Sequence, residues 1–196
     1  MNHIQDPKIL KIYGNIKNKT PSTANHFAIL KLSIKDEELL KKYEKRAGAH
    51  NKKLLSNLFY DSGFDIFLTK EEVIENEHTT YIDYGIKAEM LYCNVDKDLI
   101  TNTPFLLHPR SSMSKLPIML SNHTGIIDSG YRGNIIGAFR NLDTQNPCSI
   151  EKDTRLLQIC HPSLCPIFIV FLDENELTPS ERGAGSFGST GFLVDS

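Results

Sequence analysis

A chain of 196 residues, 40% apolar and 23% charged, has the length of one domain and a composition that excludes wholesale disorder. A formal net charge of -2 gives no basic surface for general nucleic-acid binding, and the longest apolar run, Ile167 to Leu172, is too short to cross a bilayer. Residues 1–15 lack the apolar stretch of a secretory signal, and the four cysteines form no C-x-x-C pair, which argues against zinc and for reduced thiols in a cytoplasmic setting.

Residues 1–25 are polar, carry Pro7 and Pro21, and read as an arm or poorly ordered leader. Phe27 to Ile34 alternates as a strand does, with Ala28, Leu30, Leu32 and Ile34 on one face and Lys31 and Ser33 opposite. A helical insert follows over about 35–56. Leu39, Leu40, Tyr43 and Ala47 recur at helical spacing, Ser33 and Asp36 resemble a capping box, and Gly48 is placed to end it. No other segment reads convincingly as a helix. Tyr81 to Tyr92 alternates at Ile86, Ala88, Met90 and Tyr92, and short apolar runs recur over 104–112, 124–141, 154–162 and 166–172. Pro104, Pro109, Pro117, Pro147, Pro162 and Pro166 cannot all sit in central ladders, so the strands are short. The expected fold is all-β, a sandwich or barrel over 26–181, followed by a glycine-rich tail over 182–196.

Five stretches carry candidate chemistry. In "RGAGSFGSTG" (Arg182 to Gly191), glycines at 183, 185, 188 and 191 let backbone N–H groups approach a ligand, Ser186, Ser189 and Thr190 add hydroxyls, and Arg182 offers a fork for phosphate oxygens. Phe187 suits stacking on a nucleobase; the bland alternative is a flexible linker. In "GIIDSGYRG" (Gly125 to Gly133), Asp128 is either a general base presented at a strand end or the cap of a hairpin bend, with Tyr131 three residues on. "PRSSMSK" (Pro109 to Lys115) is an oxyanion-binding cluster or a solvated loop. "RLLQI" (Arg155 to Ile159) is mainly strand, its Gln158 open to a surface role, and "DSGFDI" (Asp61 to Ile66) reads as a turn into a strand.

Read in order, "DSGFDI", "PRSS", "GIIDSGYRG", "RLLQI" and "RGAGSFGSTG" resemble the five motifs of the trimeric deoxyuridine triphosphatase (dUTPase) family, over roughly residues 57–191. The fuller run over 109–133 looks most like dUTPases of large eukaryotic DNA viruses. The resemblance implies a jelly-roll-type β-barrel assembled as a homotrimer, with active sites between subunits and, for a viral protein, a host cytoplasmic or nuclear location. It implies hydrolysis of dUTP to dUMP and pyrophosphate, with Mg2+ carried on the substrate phosphates rather than in a protein cage. Carried over by position, Asp128 activates the attacking water and Tyr131 packs under the deoxyribose. Backbone around Gly125 and Ile127 reads the uracil edge, in a pocket that Asn122 helps to order. Arg110, Ser111, Ser112 and Gln158 bind phosphate, Ser111 facing the departing pyrophosphate, and Asp65 supports them. Arg182, Ser189 and Thr190 hold the distal phosphates, while Phe187 covers the uracil and Gly188 joins the substrate contacts.

Two positions depart from the family pattern: Gly130 stands where many members carry a second acid, and Ser186 replaces a common glycine. The leader and the helical insert are additions. Two rivals remain. A dCTP deaminase of the same superfamily needs a glutamate beside the pyrimidine, but none follows the third motif until Glu151, and deaminases lack the glycine-rich lid. The second rival is a catalytically silent nucleotide- or partner-binding module.

Overall fold

The structure, a computed structural model, describes residues 6–19 and 25–183. Two α-helices, α1 (Pro7–Lys19) and α2 (Glu37–Ser56), flank strand β1 (His26–Ile34). The strands that follow are β2 (Gly63–Ile66), β3 (Glu72–Ile74), β4 (Thr80–Asn94), β5 (Leu99–Thr103), β6 (Phe105–Pro109) and β7 (Ile118–Leu120). The remainder are β8 (Gly125–Ile127), β9 (Asn134–Asn141), β10 (Cys148–Ile150), β11 (Leu157–Cys160) and β12 (Ile167–Phe171).

One sheet has the order β12-β1-β4-β9-β7 with β5 also on β4, a second the order β2-β11-β6-β8, and β10 pairs with β3. The long β4 joins two regions of the larger sheet. Its beginning pairs with β9, its end with β1 and β5, and the β9 register shifts between Asp83 and Lys87. Leu30, Leu32, Ala88, Met90 and Phe139 from the larger sheet share one core with Phe64, Leu107 and Ile159 from the smaller. The architecture is of the expected jelly-roll type, mostly β, but the sheets remain open rather than closing into a barrel.

The N-terminal region departs from expectation. Residues 7–19 form a helix whose Ile9, Tyr13 and Ile16 are buried, one above another at helical spacing. They pack on Phe27, Ile29, Leu91 and Cys93, which form a second apolar cluster on the outer face of the larger sheet. Strand β1 is buried on both faces and needs that cover. Lys31 and Ser33, opposite the Ala28 face of β1, are buried as well, Lys31 against Glu89 and the Glu176 carbonyl.

Helix α2 forms where the insert was expected, but with different ends. Its cap is Asp36, whose carboxylate accepts the Leu39 N–H at 2.7 Å, and it runs through Gly48 to Ser56. Gly48 has open space around it, so the helix loses only a modest amount of propensity there. The helix also closes the free edge of β12. The Asn51 side chain bonds both the N–H and the carbonyl of Ile169 at 2.9 and 2.8 Å, and His50 Nε2 bonds the Ile167 carbonyl at 2.9 Å. Among the described residues no helix is long and apolar enough to cross a membrane. All four cysteines are free, and burial pushes the Cys160 thiol up to about 11, which suits a packing role.

Candidate active site

Strand β7, at the edge of the larger sheet, and strand β8, at the edge of the smaller one, lead in sequence to the turn that holds Asp128, and all three contribute to the wall of a recess of about 220 Å3. Asn122, Gly125, Ile127, Asp128, Tyr131 and Arg182 all line it, over an apolar floor that includes Leu107, Ile136 and Ala138. Six residues singled out in the sequence are thus gathered in one place. Tyr131 is buried, its N–H bonded to the Asp128 carbonyl at 3.0 Å and its hydroxyl donating to the Asn134 carbonyl at 2.7 Å. Those bonds fix the turn that presents Asp128.

Asp128 is half exposed, and Arg182 Nη1 lies 2.5 Å from its Oδ2. Arg182 therefore does not join the phosphate-motif residues in this chain; it faces the carboxylate. Backbone explains the placement. Arg132 Nε donates to the Thr178 carbonyl at 2.7 Å, the Arg132 N–H donates to the Gly183 carbonyl at 2.8 Å, and the Ser180 hydroxyl donates to the Gly130 carbonyl. The departure at Gly130 fits this path, because a Cβ there would lie 3.0 Å from Ser180 Oγ, leaving little room for an acidic side chain.

A second hollow, about 770 Å3, is lined by Asp65, Arg110 and Gln158 together with Arg46 and Arg155. Strand register explains the grouping: Asp65 on β2 stands opposite Gln158 on β11, which stands opposite His108 on β6, so one row crosses the sheet. Gly63 lies so close to Gln158 that a Cβ there would meet the amide and the Gln158 side chain would have to move. Ser111 and Ser112 begin an exposed 3-10 turn beside the hollow, and Ser112 Oγ accepts from Arg110 Nη1 at 3.2 Å. Among the described residues none lines both hollows. Within one chain, Asp128 and the phosphate-motif residues occupy separate hollows. Phe187, Gly188, Ser189 and Thr190 lie outside the described residues. Among the described residues no group of three His, Cys, Asp or Glu side chains is placed to hold a metal.

Sequence reasoning missed the group that anchors the segment leading to Arg182. Glu89, on β4, is fully buried and accepts from Lys31 Nζ at 3.0 Å, from the Thr178 N–H at 2.9 Å and from the Thr178 hydroxyl at 2.8 Å. Arg132 Nη2 stands 3.8 Å from the same carboxylate. Glu89 thus ties the segment leading to Arg182 and the turn carrying Asp128 to one sheet position. Burial pushes its carboxyl up, but the Thr178 donors and the Lys31 ammonium outweigh that and hold it below the ordinary value of 4.5. A depressed folded pKa contributes stability that is fully present above 4.5 and is lost as pH falls through the folded value. Glu89→Ala, which strands Lys31, is expected to cost about 3–5 kcal/mol at neutral pH, and Glu89→Gln to flatten the acid limb of stability against pH. Urea unfolding across pH measures both.

The recess and the arginine-lined hollow are both concave, with a few polar groups among apolar ones, the form of small-molecule sites. Comparison with known proteins defines it further. The dUTPase family model matches residues 59–191. The deoxyuridine 5'-triphosphate nucleotidohydrolase of Clostridioides difficile is 35% identical over 134 residues, 67% of this chain and 85% of that protein. Its counterpart in Clostridium kluyveri is 36% identical over 135 residues, 68% of this chain and 85% of that one. The crystal structure of dUTPase from Streptococcus mutans aligns at a TM-score of 0.43 and 21% identity, over 54% of this chain and 79% of its own. The chain belongs to the dUTPase family.

Proposed function

We infer that this chain is a dUTP diphosphatase, hydrolysing dUTP to dUMP and pyrophosphate and so limiting uracil in DNA while supplying dUMP for dTMP synthesis. The observation that carries this reading, beside membership of the family, is the recess that ends at Asp128. Uracil enters against the backbone of Gly125 and Ile127, ordered by Asn122. Fixed backbone donors and acceptors discriminate strongly, because a mismatched base leaves buried polar groups unpaired. The Tyr131 ring packs under the deoxyribose.

Asp128 takes a proton from the attacking water, whose oxygen bonds to the α-phosphorus as the bond to the bridging oxygen breaks and pyrophosphate departs. Arg110, Ser111, Ser112 and Gln158 hold and neutralise the leaving phosphates, and Asp65 orients Arg110 through a contact of 2.9 Å. Arg182 exchanges Asp128 for the distal phosphates when substrate arrives, and Phe187, Gly188, Ser189 and Thr190 close over it. Two hollows with no described residue in common favour a homotrimer in which the Asp128 recess of one copy meets the arginine hollow of another. Asp128 is the only carboxylate lining the recess among the described residues, a donor set too small to hold a metal alone. That fits Mg2+ bound through substrate phosphates and water, where it would offset phosphate charge. The setting is cytoplasmic.

The test is incubation with dUTP or dCTP plus magnesium while pyrophosphate and ammonia are followed separately. Pyrophosphate from dUTP is expected. Ammonia from dCTP would mean a deaminase, and neither product a silent binding module.

A further inference from the structure

The helical insert precedes the range that matches the family, which begins at residue 59, yet it sends a side chain into the Asp65 hollow. Arg46 Nη2 lies 2.7 Å from Asp65 Oδ2. Arg110 Nε and Arg155 Nη1 contact the same oxygen at 2.9 and 3.0 Å. Three guanidinium groups therefore share a carboxylate that can neutralise only one of them. The other carboxylate lining this hollow, Asp61, is engaged by Lys53 at 2.7 Å. Among the described residues, two positive charges are left without a counterion of their own at the wall of a wide hollow, and the three arginine side chains are 25–35% exposed.

Arg46 is built in rather than loosely draped. Its guanidinium sits over the Phe64 ring at 5.7 Å, and its Nε is buried with no hydrogen-bond partner among the described residues. Burial lowers its pKa, and the charges of Arg155 and Arg110 lower it further against the opposing pull of Asp65. A structural salt bridge to Asp65 needs one arginine. Three packed together repel one another unless a multiply charged anion joins them, and planar forks suit phosphate oxygens.

We propose that Arg46, supplied by the insert, is an additional phosphate-contacting residue, completing with Arg110 and Arg155 a three-arginine seat for the pyrophosphate end of the nucleotide and for free pyrophosphate. The proposal rests on reading the Asp65 hollow as the phosphate half of the site. A nucleoside monophosphate, lacking the two distal phosphates, gains little from this seat.

Calorimetric binding of inorganic pyrophosphate and of dUMP to the intact protein separates the possibilities. Arg46→Gln should weaken pyrophosphate about tenfold while dUMP changes less than about twofold, and Arg46→Lys, which keeps the charge but not the fork, should fall between. Arg110→Gln is the control for the underlying reading. If it weakens pyrophosphate and Arg46→Gln does not, the role of Arg46 is structural and the proposal fails. If neither variant changes pyrophosphate binding, the phosphate reading of the hollow fails with it. Should Arg46→Gln not fold, the unmodified protein carries the test. Pyrophosphate should shield Arg46, but not exposed Arg140, from a dicarbonyl reagent mapped by mass spectrometry, and equal labelling with and without pyrophosphate would overturn the proposal.

Discussion

Asp128→Asn is expected to lower turnover of dUTP by about 10²–10⁴-fold, the usual weight of a positioned general base. The amide is nearly isosteric but cannot accept the proton from water. Binding should survive, because most of the residues that line the recess, among them Leu107, Gly125, Ile127, Tyr131 and Ile136, are left in place by the change. Folding stability should move little. The substitution breaks the ion pair with Arg182, and both side chains are nearly half exposed, where such pairs contribute about 0–1 kcal/mol. Single-turnover kinetics beside calorimetry with a non-hydrolysable dUTP analogue measure the two effects separately. Turnover within a few-fold of the parent would remove Asp128 from the role of base.

The second large effect is expected from truncation after Gly183. This cut leaves the anchors at Thr178, Ser180 and Gly183 intact, with their bonds to Glu89, Gly130 and Arg132. It removes Phe187, Gly188, Ser189 and Thr190, the groups proposed to cover the base and hold distal phosphates. Loss of such transition-state donors costs about 10²–10³-fold in turnover, while the unfolding midpoint in urea should stay where it was. Full activity in the truncated protein would take the tail out of the mechanism; a lowered midpoint would mean that it belongs to the core.

The β-rich fold was legible because alternation over Tyr81 to Tyr92 and the proline-bounded runs after it are local signals. The recess was legible too, since Asn122 to Tyr131 are close in sequence and strand β8 with the turn after it carries most of them. Helix α1 was hidden because Ile9, Tyr13 and Ile16 make only a thin apolar stripe in a polar segment. Its use becomes visible only once β1 is seen to have a second apolar face at Phe27 and Ile29. The burial of Lys31 and Glu89 has a related cause: Thr178, which bonds Glu89, is 89 residues beyond it in the chain. The Arg182 contact with Asp128 and the reach of Arg46 to Asp65 likewise depend on tertiary placement, for which no short-range pattern exists.

Subunit mixing addresses the shared site most directly. Asp128→Asn and Arg110→Gln chains, each nearly inactive alone, are unfolded together in equal amounts and refolded. If the recess and the arginine hollow meet across copies, about a quarter of the sites combine two intact halves and activity returns to that level. If mixing restores nothing although mixed trimers form, both halves serve the same chain and the shared site is wrong.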